Sequence, residues 1–146
     1  MPVYASMGVN RFEDLRVWQA AKALSDGIGR VLRTTALGRD FVLRDQLNAA
    51  ALSVVANIAE GFARRGSRDF ARFVRIAAGS NNELRALLHA AQGRGYLPGR
   101  EYGNLVEASN DVGRMLRSLE AALNAQVRNG ATFSGPRTDR NRPDSH

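Results

Sequence analysis

Apolar residues recur at steps of three and four through most of this chain, and nowhere do they alternate in twos, so the pattern predicts helices and no strands. Leu15, Trp18, Ala21, Leu24, Ile28 and Val31 define one face of a first helix starting near Phe12. Glu13 and Asp14 are expected in its first turn, and Thr34–Gly38 ends it. Gly27 and Gly29 either weaken this helix or admit a neighbouring backbone. Leu43, Leu47, Ala50, Val54, Ile58 and Phe62 mark a second helix over 39–63. Gly66 is expected as its C-terminal glycine and Ser67 as the cap of the next helix. Phe70, Phe73, Ala77, Ser80, Leu84, Leu87 and Ala91 form a heptad seam on the third helix. Gly93–Gly99 reads as a turn, and Leu105, Val112, Met115, Leu116, Leu119 and Leu123 lie on a fourth helix over 100–124. Four amphipathic helices with short loops predict an all-α fold, an antiparallel up-down-up-down four-helix bundle. The expected boundaries are a flexible N-terminal arm over 1–10, the bundle over 11–125 and a disordered polar tail over 126–146.

Composition narrows the partners. The chain has 146 residues, no Cys, and a net charge of +7 from 21 basic and 14 acidic residues. Without Cys there is neither a disulfide nor a thiolate metal site, which fits the cytoplasm. No apolar run is long enough for a membrane span, and the first ten residues lack the pattern of a secretory signal. Lys22 is the single lysine; every other basic residue is Arg. A GC-rich genome produces that bias by itself. Functionally, guanidinium forks bind phosphate bidentately, which makes nucleic acid the first partner to consider.

The basic residues are unevenly placed. Arg64, Arg65, Arg68, Arg72 and Arg75 face Asp69 alone within 62–75, a local balance of +4. Arg68, Arg72 and Arg75 share a helix face turned away from Phe70 and Phe73. The patch is read as a phosphate-backbone surface without sequence readout or base stacking, against the plainer alternative of a solvated helix face. Ser53, Asn57, Glu60 and Arg64 form a second stripe, with Ser80 and Glu83 one turn apart on the third helix. Ser53, Asn57, Glu60, Ser80 and Glu83 are expected to form one polar network fixing the register of helices or subunits.

Catalytic sets are missing from the pattern. Glu83, Glu107 and Glu120 are followed at i+3 by Ala86, Asn110 and Leu123, so the Glu-x-x-His motif of di-iron bundles is absent. His89 and His146 are the only histidines, and Arg85 with His89 makes a weak candidate for RNA cleavage. No enzyme, no metal and no cofactor are expected. Trp18 and Phe12 pack the first helix or lie at a subunit interface.

Several segments resemble one family. Phe12–Gln19, Gln46-Leu47 with Ala50, Ser53–Gly61, Phe70 with Phe73, Ala78-Gly79-Ser80, Glu83-Leu84 and Gly95-Tyr96-Leu97 resemble, in order and spacing, the 23S rRNA intervening sequence proteins. The resemblance covers about residues 11–124. Val55 stands where the family usually has Pro, and Asn48 where it usually has a basic residue. The first departure removes a kink, and the second weakens a nucleic-acid surface. The resemblance implies a bundle that assembles into a ring, a homopentamer. Relatives are encoded within insertions in 23S rRNA genes, and others resemble accessory proteins of diversity-generating retroelements. It therefore implies RNA, or a protein partner such as a reverse transcriptase.

Overall fold

The computed structural model describes residues 9–130. Among them are four α-helices and no strand: α1 (Arg16–Thr34), α2 (Phe41–Ala63), α3 (Ser67–Gly93) and α4 (Gly99–Arg128). Consecutive helices pack side by side and α1 closes against α4, giving a four-helix bundle. The α2–α3 and α3–α4 interfaces are the broadest. Most of the expected arm and tail, residues 1–8 and 131–146, lies outside the described residues.

The helix starts differ from the sequence expectation. Phe12–Asp14 form a separate 3₁₀ turn, so Glu13 and Asp14 precede α1 rather than occupy its first turn. Phe12 packs edge-on to Trp18 with ring centroids 5.0 Å apart, although the buried indole N–H finds no acceptor among the described residues. After Thr34 the chain makes a second 3₁₀ turn, Ala36–Arg39. Gly38 passes so close to the end of α1 that a Cβ would lie 1.9 Å from the Leu32 carbonyl oxygen. Asp40 then caps α2, its carboxylate accepting from the Leu43 N–H at 3.1 Å.

Gly66 is not a left-handed C-terminal glycine. It is extended, with φ −144° and ψ 145°, and serves as the N-cap of α3 without a side-chain hydrogen bond. Ser67 does not cap; it donates to Gln126 Oε1 at 2.8 Å, tying the start of α3 to the end of α4. The positive φ falls instead at Gly95 (74°). There the Gly95 and Tyr96 N–H groups return to the carbonyls of Gln92 and Ala91, closing α3 in a Schellman turn. The fourth helix continues past Asn124 to Arg128, and Gln126 within that extra turn is buried.

The expected stripes of α1 and α2 form the core, with Ile28, Leu47 and Ile58 fully buried, except Trp18, which is half-buried against its edge. Gly27 admits α4, since a Cβ there would meet Leu105 at 3.0 Å, whereas Gly29 has nearly open space. On α3 the buried seam is Phe70, Val74, Ala77, Asn81, Leu84, Leu88 and Ala91. Phe73, Ser80 and Leu87, expected on that seam, are half-buried at its edge. Met115 is 38% exposed rather than in the core of α4. Leu37 and Leu97, one from each turn at that end, plug the bundle. No described helix is long and apolar enough to cross a membrane.

Candidate nucleic-acid interface

The basic corner is built where α2 meets α3. Gly61 brings the helices together, because a Cβ there would stand 2.8 Å from Phe73 Cβ and 2.9 Å from Phe70 Cδ1. Arg64 leaves the helix in extended conformation, Arg65 and Gly66 cross over, and α3 begins at Ser67. All five arginines of the corner are exposed.

Their surroundings divide them. Arg64 pairs with Glu60 one turn earlier at 2.8 Å, and its guanidinium carbon lies 4.9 Å from the Phe73 ring centroid. Arg72 lies 3.8 Å from Asp69 and 4.7 Å from the same centroid. Phe73 is therefore not simply an inward core residue; two guanidiniums stack on it, each held by a carboxylate. Arg75 reaches Glu120 of α4 at 3.7 Å. Arg65 and Arg68 form no ion pair among the described residues. The fold thus adds Glu60 and Glu120 to Asp69, and five arginines facing three carboxylates leave +2 rather than +4. Such exposed pairs contribute at most about 1 kcal/mol each, so they position the arginines more than they stabilise the bundle.

The expected polar network is divided. Ser53 and Ser80 hydroxyls meet at 2.7 Å between α2 and α3, and Asn57 donates to the Ser53 hydroxyl at 3.0 Å and to its carbonyl at 2.8 Å. Glu60 belongs to the arginine corner instead. Glu83 is exposed and has no partner among the described residues.

A second, buried network joins α3 to α4. Asn81 donates to the Ser109 carbonyl at 3.0 Å, the Ser109 hydroxyl donates to Asn81 Oδ1 at 2.9 Å, and Arg85 reaches Ser109 Oγ at 3.3 Å and Asn82 Oδ1 at 2.7 Å. Arg85 is thereby occupied in holding register. His89 Nδ1 lies 2.6 Å from the Tyr102 hydroxyl on the surface. Sequence reading missed this network because it placed Ser80 rather than Asn81 on the seam; a polar residue at a seam position is the signal that marks it. No group of three or more His, Cys, Asp or Glu able to hold a metal occurs among the described residues.

The fold and this corner define a small four-helix bundle with an arginine-rich turn and a polar α3–α4 seam. A family model, the 23S rRNA-intervening sequence protein, matches residues 13–118, and the chain belongs to that family. Its fold is similar to the crystal structure of a protein of unknown function from the S23 ribosomal protein family of Bacteroides thetaiotaomicron. The two share 21% identity with a TM-score of 0.67, over 71% of this chain and 97% of that one. No curated protein matches the chain.

Proposed function

We propose that this protein is a non-enzymatic, self-assembling bundle of the cytoplasm that binds structured RNA through phosphate contacts at the α2–α3 corner. The observation that carries the reading is the pair Arg65 and Arg68, exposed guanidiniums without a carboxylate among the described residues, where their three neighbours have one. The +7 net charge and the family name support it. Phosphate contact positions a protein without reading sequence. Little base discrimination is therefore expected, and RNA is favoured over DNA only through the shape of the folded strand.

Self-assembly into a ring, of five copies as the resemblance implies, is the second part of the reading. Leu52 and Ile76 are 60% and 42% exposed on α2 and α3. Ala49 and Ala56, one turn either side of Leu52 on α2, are also exposed, and Ile76 lies one turn before Ser80 on α3. These exposed apolar residues are the surface we assign to the contact between copies. A ring would present several copies of the basic corner together, raising avidity for one folded RNA.

Anisotropy titrations with an RNA hairpin and a DNA duplex of equal length, at about 50 and 200 mM salt, test the RNA reading. The expected result is salt-sensitive binding that prefers the hairpin and is lost in Arg65→Glu/Arg68→Glu with helicity unchanged. Equal binding by that variant overturns it. Absence of binding at low salt returns the protein to the other role the resemblance implies, an accessory subunit for a protein such as a reverse transcriptase.

A further inference from the structure

The opposite end of the bundle carries a different surface. The α1–α2 turn and the α3–α4 turn meet there, joined by Arg94 Nη1 to Asp40 Oδ2 at 3.5 Å. Between them lies a shallow open dish of about 540 Å³ lined by Ala36, Arg39, Asp40, Phe41, Val42 and Tyr96. Phe41 and Val42, the first residues of α2, are 64% and 68% exposed, the largest exposures among the big apolar side chains described. The Arg44 guanidinium carbon lies 4.6 Å from the Phe41 ring centroid, and most of that residue remains in water. Tyr96 is half-buried and fixed by the Schellman turn, its N–H bonded to the Ala91 carbonyl at 3.1 Å.

The charges at the dish are unequal. Asp40 is engaged on both oxygens, by the Leu43 N–H and by Arg94. Arg44 pairs with Asp45 at 3.1 Å. Arg39 is exposed and makes no ion pair among the described residues. The dish therefore offers an exposed aromatic ring, a guanidinium already stacked on it and a cation free to meet a phosphate.

We propose that this dish binds single-stranded nucleic acid, with a base stacked on Phe41 and Arg39 at the backbone. Aromatic rings beside arginines are what single-strand binding uses, since every base has a π-face and the backbone is anionic wherever it runs. Aromatic residues and Arg are also enriched at protein–protein contacts; what favours an anionic occupant is Arg39, which lines the dish and has no carboxylate of its own among the described residues. The site is separate from the α2–α3 corner, which offers no comparable exposed ring, and it stands whether or not that corner binds folded RNA.

The test uses the full chain and an oligouridylate of about eight nucleotides, within the usual site size for single strands. Phe41→Ser is expected to weaken binding roughly five- to 150-fold, the loss of one stacked base. Phe41→Trp is expected to retain binding and to show indole quenching by the oligonucleotide that the wild type lacks. Arg65→Glu/Arg68→Glu, combined with Phe41→Trp, should keep that quenching, which separates this site from the corner. Unchanged affinity in Phe41→Ser, or no binding of the oligonucleotide at about 50 mM salt, overturns the proposal. A drop in assembly mass on Phe41→Ser, read by sedimentation with helicity intact, overturns it as well, because a second copy would then be the occupant.

Discussion

At Gly61 a single hydrogen atom decides how close two helices come. The missing methyl would overlap Phe73 and Phe70 on α3, and neither contact is the far end of a flexible chain. Gly61→Ala should therefore destabilise the bundle by about 1–3 kcal/mol, the usual cost of overpacking. Gly103, on α4, has nothing within 4 Å of a Cβ, and Gly103→Ala should stabilise by up to about 1 kcal/mol through helix propensity. Urea unfolding of both variants checks the pair; two shifts of the same sign would contradict it. From sequence the two glycines look alike, since each interrupts a helical pattern. Only the partner across the interface tells them apart, and no local signal encodes it. The arginines were legible as exposed residues for the opposite reason: charge on a helix keeps to water whatever the neighbour. The pairing of Arg75 was not, because Glu120 lies 45 positions away along the chain and meets it only through the bundle.

Among the helices, the stripes of α1 and α2, Trp18 apart, read true because they offered no rival. On α3 two seams start from Phe70, one through Phe73, Ser80 and Leu87, the other through Val74, Asn81 and Leu88. Each advances in threes and fours, and residue types barely separate them. The fold takes the second, burying Asn81 and leaving Phe73 at the edge under Arg64 and Arg72. Asn81 is tolerated because Ser109 satisfies it from α4 with two hydrogen bonds. Ser109→Ala removes the donor to Asn81 Oδ1 and should cost about 1–3 kcal/mol, the penalty of an unsatisfied buried polar atom. Adding Asn81→Leu should return part of that loss, since the apolar pair leaves no buried Asn oxygen unsatisfied, and the half-exposed Arg85 keeps Asn82 and water. Chemical denaturation of the two single variants and the double closes the cycle. Additive losses would show that the pair is not coupled and that the α3–α4 register rests on packing alone.

For the whole molecule, the question is what surface the core leaves outside. Among the described residues the apolar core closes within one chain, with Leu37 and Leu97 at one end and Ser67 bonded to Gln126 at the other. Self-assembly is therefore not needed to bury the seams, and a monomer can keep its helices when the contact is lost. Leu52 on α2 and Ile76 on α3 remain as apolar residues in water. Glu at either position would bring an unpaired charge into an interface while costing the exposed monomer little. Leu52→Glu/Ile76→Glu should therefore reduce the assembled mass to that of a single 15.9 kDa chain with an unchanged helical spectrum. Light scattering on a sizing column measures the first and circular dichroism the second. The wild type should also melt at higher temperature as protein concentration rises, because association stabilises only the folded state. The variant should not show that dependence. If wild type and variant have the same mass, the surface of Leu52 and Ile76 is not the contact that builds a ring. RNA retention by the monomeric variant then separates the two halves of the proposed function. A single basic corner has few phosphate contacts and should bind weakly with a shallow salt slope, whereas the assembled corners should give a steep one.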